Sequence, residues 1–213
     1  MSEPLWIWEE KLKRYRETAT GRFIGATQMN NLRADFLVQQ KAEMGKLAES
    51  YRLGQIDIYK LESQVKSLLK QTYIDNYAMG AGGRNNMTSS DWGKIGSMLK
   101  KQYGEDGYLG KFMKQIGEGQ LSEAQIKARL DMYANSSTQS LWRGYTRDMP
   151  MNLPAYPGDG STICRTNCQC EWDIQPLENG YDCYWRLGAA EHCPDCLDRA
   201  SKWKPYKIRW SEG

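Results

Sequence analysis

Six cysteines crowd the last fifty residues, in the pattern Cys164-x3-Cys168-x-Cys170-x12-Cys183-x9-Cys193-x2-Cys196, and the 163 residues before them contain none. A segment this short buries too little apolar surface to hold itself together and needs covalent or metal cross-links. The larger part of the chain, without cysteine, must rely on an ordinary packed core. The distribution therefore predicts two differently stabilised parts.

Clustered cysteines form disulfides in an oxidising compartment or bind metal as thiolates in a reducing one. Met1-Ser2-Glu3-Pro4 carries no basic stretch, and the apolar run Leu5-Trp6-Ile7-Trp8 is too short for a signal peptide, so synthesis in the cytosol with reduced thiols is the expectation. The spacing agrees. His192-Cys193-Pro194-Asp195-Cys196 is a CxxC turn of the zinc-knuckle kind, and the Cys164 to Cys170 group upstream provides a second half-site.

A structural tetrahedral site takes four ligands, and the expected set is Cys164, Cys168, Cys193 and Cys196. Cys170 is the rival of Cys168, because on an extended strand residues two apart share a face and only one reaches the ion easily. The single histidine, His192, is the other substitute. Cys183, within Tyr181-Asp182-Cys183-Tyr184-Trp185, reads as a packed free thiol on a strand.

A mean hydropathy of -0.75 with 26% charged residues suits a soluble chain of one or two domains, and no stretch is apolar enough to cross a membrane. The net charge of +3 does not by itself imply nucleic-acid binding. Lys11, Lys13, Arg14, Arg16 and Arg22 form the densest basic run, but Glu9, Glu10 and Glu17 offset it, as on a solvated helix face.

Helical periodicity dominates residues 1 to 149. Leu5, Trp8, Leu12 and Tyr15 predict a first helix, which Thr18 to Thr27 interrupts. A second is expected from Asn31 to Leu53, with Leu32, Phe36, Met44, Leu47 and Tyr51 inward and Gly54 as its stop. Asp57 caps a third, striped by Ile58, Leu61, Val65, Leu68, Leu69 and Tyr73 and ending at Gly80-Ala81-Gly82-Gly83. Ser89 or Ser90 opens a helix carrying Trp92, Ile95, Leu99 and Tyr103; Leu109, Phe112, Met113 and Ile116 mark a shorter one. Ser122-Glu123-Ala124-Gln125 is a capping box before a last helix, running to about Asp148 with Ile126, Leu130 and Tyr133 inward. Gly54-Gln55-Ile56-Asp57 resembles Gly119-Gln120-Leu121-Ser122, through duplication or because any tight helical hairpin needs a glycine stop and a polar cap.

Pro150, Pro154 and Pro157 forbid a continuing helix and predict an extended Pro/Gly-rich connector over 150 to 162. The Cys-rich module, 163 to 213, then reads as a strand from Cys170 to Ile174, a turn at Glu178-Asn179-Gly180, a strand from Tyr181 to Leu187 and a helix from Pro194 to Lys202. Cys196 falls in that helix's first turn, where the amides favour a thiolate, and Trp172, Trp185 and Trp203 provide a hydrophobic shell. The expected fold is mainly α: a multi-helix assembly followed by a small zinc-stabilised α+β module with a short hairpin.

Leu153-Pro154-Ala155-Tyr156-Pro157-Gly158-Asp159-Gly160-Ser161, then Cys164-x3-Cys168-x-Cys170, Glu191-His192-Cys193-x2-Cys196 and Trp203-x-Pro205, resembles the C-terminal region of tailed-phage head morphogenesis proteins of the Mu F-like minor head, or minor capsid, family. Tyr15-Arg16-Glu17-Thr18-Ala19-Thr20-Gly21-Arg22-Phe23 is similar to an early element of some members. The specific part of the resemblance spans about residues 153 to 205. Other members often carry a histidine-containing element before the Asn-Cys box, where this chain has Cys164. The resemblance implies a non-enzymatic component of a phage or prophage virion, made in the host cytoplasm and placed at the portal vertex of the head. Portal or capsid proteins, and packaged DNA, are the partners it implies. Neither a membrane nor a small-molecule substrate has a place in it.

Two other classes are open to the residues themselves. Lys202, Lys204, Lys207 and Arg209 interleave with Trp203, Tyr206 and Trp210, which suits single-stranded nucleic acid but fits better a C-terminal strand with a polar outer face and inward aromatics. An enzyme is disfavoured: one histidine in 213 residues offers little for a catalytic zinc, and the neighbouring His192 and Cys193 have no third member. Asp159, between Gly158 and Gly160, reads as a turn residue, and Leu5 to Trp8 as a docking element or a packed one.

Overall fold

In the computed structural model, residues 6–9, 14–24, 26–103, 107–149, 153–189 and 191–210 are described. The chain divides into two units, Met1–Arg147 and Asp148–Gly213. No helix among the described residues is long and apolar enough to cross a membrane.

The first unit opens with strands where a helix was expected. β1 (Trp6–Glu9), β2 (Arg14–Glu17) and β3 (Phe23–Ile24) form an antiparallel sheet in that order, with Trp8 opposite Tyr15 and Arg16 opposite Phe23. Aromatic and β-branched residues favour a pleated surface, and the spacing of Trp8 and Tyr15 that fits a helical face equally sets a cross-strand pair. Gly21, at φ +67°, supports the turn by donating its N–H to the Glu17 carbonyl at 2.8 Å. Across the sheet Arg16 donates to Glu9 at 3.0 Å and its guanidinium lies 4.6 Å from the Phe23 ring centre. The charges read as a solvated helix face thus meet across strands; Leu5, Glu10, Lys11, Leu12 and Lys13 lie outside the described residues.

Six helices follow: α1 (Ala26–Arg52), α2 (Ile58–Gly80), α3 (Ser89–Tyr103), α4 (Tyr108–Gly117), α5 (Glu123–Ser136) and α6 (Thr138–Tyr145). Their inward stripes are largely those of the sequence, and Met44, Leu61, Val65, Leu69, Tyr73, Ile95, Leu99, Leu109, Phe112, Ile116 and Leu130 share one core. α1 starts five residues before the expected Asn31. α2 is capped by Asp57, whose carboxylate accepts from the Lys60 N–H at 2.7 Å, and α5 by the Ser122–Gln125 box. The stop turns at Gly54 and Gly119 match: both glycines have φ near +67°, and Gln55 and Gln120 donate back to Ser50 and Gln115 at 2.9 and 3.0 Å. The helices that flank the two turns differ in length.

Three local expectations are corrected. α3 is capped by Thr88 rather than Ser89 or Ser90: the Thr88 N–H and Oγ1 donate to the Asp91 carboxylate at 2.8 and 2.9 Å. Asp91 therefore takes the inward place in the first turn, and Trp92, about 100° round the helix, is exposed. The last helix breaks at Ser137. Ser136 and Ser137 bond back to the Tyr133 and Ala134 carbonyls at 2.7 Å and reach across to Tyr73 Oη and Asn76 Nδ2, both at 2.9 Å. α6 thereby turns to pack along α2 instead of prolonging α5.

In the second unit β4 (Glu171–Leu177), β5 (Gly180–Arg186) and β6 (Tyr206–Arg209) form an antiparallel sheet in that order, and α7 (Pro194–Lys202) runs over the residues expected. Leu177 pairs with Gly180 across a two-residue turn, Glu178-Asn179, so Gly180 is in the strand. Its lack of a side chain serves β6: a Cβ there would lie 2.0 Å from the Ile208 carbonyl oxygen. Leu153, Ala155 and Tyr156, within the expected extended connector, are buried, and Trp172 Nε1 donates to the Ala155 carbonyl at 2.8 Å. Trp203 stacks on Trp172 with centroids 5.3 Å apart and meets Trp185 at 5.7 Å, forming the shell expected of these three rings.

Candidate metal centre

Three segments converge on the cysteine cluster. Cys193 caps α7, Pro194 opens it, and the Cys196 N–H donates to the Cys193 carbonyl at 3.0 Å, which is the tight turn that brings a CxxC pair onto one ion. Cys164 and Cys168 flank a single 3-10 turn, Arg165–Asn167, entered through Arg165 at φ +50°. Asp195 Oδ2 accepts from the Ile163 N–H at 2.8 Å and ties this turn to the start of α7. Cys170 closes the approach just before β4. A Cβ on Gly188 would lie 2.3 Å from the Gln169 carbonyl, so the strand end reaches the Cys168–Cys170 segment only because residue 188 is glycine.

All six cysteines are free thiols. The sulfurs of Cys164 and Cys193 are 3.7 Å apart, Cys164 and Cys196 3.8 Å, and Cys168 and Cys196 3.7 Å. These are far beyond a bond of about 2.05 Å between sulfurs. They match instead the roughly 3.8 Å edge of a tetrahedron whose centre lies about 2.3 Å from each sulfur. The five sulfurs fall into two sets within mutual reach, Cys164, Cys193 and Cys196 on one side and Cys168, Cys170 and Cys196 on the other. The cluster could hold a metal ion.

The four expected ligands are thus all in the cluster, and so is Cys170. Cys168 and Cys170, expected to compete for one place, both lie with Cys196 in one set. His192 belongs to neither set. Cys183 is fully buried on β5 opposite Ile174 and Tyr206, and burial pushes its thiol up to about 11.

The electrostatics of the knuckle differ from expectation. The Cys193 thiol, raised by burial, receives N–H groups from Cys196 and Cys164, which bring it down to about 7. The helix start therefore favours a thiolate at Cys193. Cys196 is raised instead, first by burial and then by Cys168. Cys168 is also held high, chiefly by donating to Cys170, which that bond lowers, and Cys164 is raised by burial. Thiols crowded in a low-dielectric site resist ionising together, and a bound cation reverses that.

Arg199 on α7 escaped the sequence reading. Its guanidinium lies 5.1 and 5.5 Å from the ring centres of Trp185 and Trp203 and donates to the Ser161 carbonyl at 2.9 Å. Asp159 is a turn residue, accepting from the Tyr156 and Ser161 N–H groups at 2.8 Å. Of the C-terminal cations, Arg209 is bonded to Asp182 and to the Tyr181 carbonyl, and Lys202 pairs with Asp198 at 2.8 Å. Tyr206 packs edge-on against Trp203 and Trp210 against Tyr181, and Trp210 remains exposed.

Comparison of the chain with protein-family models, with curated proteins and with solved structures finds no match.

Proposed function

We propose that this protein is a structural, non-enzymatic assembly protein of a tailed-phage head, in which the helical unit provides docking surfaces and a zinc-stapled module fixes the C-terminal fold. The observation that carries the metal part is the convergence of five sulfurs, three of them buried, with no histidine or carboxylate in either set. An all-thiolate donor set suits zinc in a structural role, whereas catalytic zinc sites usually mix in histidine or carboxylate and keep an open position.

Cys164, Cys168, Cys170, Cys193 and Cys196 are the residues that would hold zinc, and what zinc supplies there is folding energy. The role in the head rests on the motif resemblance of residues 153 to 205. An assembly component needs a stable fold, and the packed helical core and the tryptophan cluster of the second unit support that part of the reading. Its place is the host cytoplasm during assembly and the portal vertex afterwards, its partners portal or capsid proteins.

Particles made with and without the protein test this reading. Loss of infectivity or of packaged DNA in its absence is the expected outcome; normal particles that neither contain nor need it overturn the head role and leave the metal module standing.

A further inference from the structure

Five thiols are one more than a tetrahedral ion can take, and their sulfurs form two triads that share Cys196. Cys164 stands 3.7 Å from Cys193 and 3.8 Å from Cys196, already at the spacing that sulfurs hold around one ion, and Cys193 lies within 4.8 Å of Cys196. On the other side Cys168 is 3.7 Å from Cys196 and Cys170 lies within 4.8 Å of both. An ion centred on the first triad leaves Cys168 and Cys170 as a second converging pair. An ion centred on the second leaves Cys164 and Cys193.

We propose that the module binds two divalent d10 ions, zinc in the cell, one in each triad, bridged by the thiolate of Cys196. This rests on the metal reading above and deepens it. A thiolate sulfur has three lone pairs, so it can serve two ions as well as its own carbon. Cys196 is placed for this, being almost fully buried in the first turn of α7 between the other four sulfurs. Charge favours the pair. With all five thiols ionised, one divalent ion leaves a net charge of -3 on a largely buried cluster and two leave -1, and uncompensated buried charge is costly. Cys164 and Cys193 are only half-buried, so the first ion can complete its coordination from solvent. The sixth cysteine, Cys183, is outside both triads and serves as an internal control.

Native mass spectrometry of the full chain, purified under reducing conditions with zinc, counts the ions directly. Two per chain are expected for the wild type and for Cys183→Ser, and one for Cys170→Ser, which removes a sulfur from the second triad only. Cadmium substitution tests the bridge: two resonances coupled through a shared sulfur are expected, and two uncoupled ones overturn it. One ion in the wild type, unchanged in Cys170→Ser, overturns the two-ion site and leaves a single structural zinc. A folded protein with no metal overturns both.

Discussion

Gly80 of α2 and Gly144 of α6 are reciprocal. A Cβ on Gly80 would lie 2.0 Å from the Leu141 carbonyl oxygen, and one on Gly144 would lie 2.3 Å from that of Tyr77. Each helix backbone thus occupies the space where the other would carry a side chain. Around this contact Ser140 donates to the Tyr73 carbonyl at 3.0 Å and Asn76 to Ser137 at 2.9 Å. The α2–α6 pairing is a backbone-to-backbone approach stitched by small polar groups.

Gly80→Ala and Gly144→Ala should each destabilise the helical unit by about 2 to 3 kcal/mol, because backbone, unlike a long side chain, cannot move aside cheaply. Gly96→Ala within α3, where a Cβ meets nothing within 4 Å, should instead be neutral or stabilising by up to about 1 kcal/mol. Urea midpoints followed by far-ultraviolet circular dichroism check the contrast; equal effects at all three positions would refute the close approach.

Asp91 makes the helical unit sensitive to acid. Burial acts against its charge, but hydrogen bonds from Thr88 and Tyr77 and the Arg147 guanidinium, at 3.0 Å, outweigh burial and hold the carboxyl below its ordinary value. A carboxylate with a depressed folded-state pKa contributes stability that is fully present above its unfolded value of about 3.9 and is lost as pH falls through the folded one. Asp91→Asn should cost about 3 kcal/mol at neutral pH, since it leaves Arg147 facing an uncharged amide, and should flatten the loss of stability below pH of about 4. Unfolding curves of both proteins between acid and neutral pH decide this.

Chelation should separate the two units. Removing metal with a strong chelator under reducing conditions should red-shift the tryptophan emission as the Trp172, Trp185 and Trp203 cluster opens, and leave most of the helical circular dichroism in place, since that core contains no cysteine. Simultaneous loss of both signals would contradict independent stabilisation.

Trp172 joins the buried aromatic cluster to the Ala155 segment. Trp172→Ala should cost about 3 to 5 kcal/mol of second-unit stability by opening a cavity under Trp203. Trp172→Phe, which keeps an aromatic ring and drops the Nε1 bond to Ala155, should cost nearer 1 to 2 kcal/mol. Fluorescence-detected denaturation in the presence of zinc measures both.

Cys183→Ala should lower second-unit stability by about 1 kcal/mol through lost packing in a fully buried position, with metal content unchanged. Elemental analysis beside the melting curve tests both halves of that statement.

Features controlled by short-range chemistry are legible in the sequence. The apolar stripes of α2 and α4, the Asp57 and Ser122 caps, the glycine stops, the span of α7 and the gathering of Cys164, Cys168, Cys193 and Cys196 follow from spacings of a few residues, over which periodicity and hydrogen bonding act directly. The remaining features depend on partners far along the chain and emerge only on folding. Trp8 and Tyr15 fit a helical face as well as a strand pair until β2 finds β1 and β3. Asp91 takes the inward place that Trp92 was expected to fill because Tyr77 and Arg147 come to meet it. The glycines at 80, 144, 180 and 188 look like ordinary flexible points in the sequence, yet each fits against a backbone remote from it. Cys168 and Cys170 both reach Cys196 for the same reason: the turn that aims them is fixed by contacts with α7 and the end of β5, which no local pattern encodes.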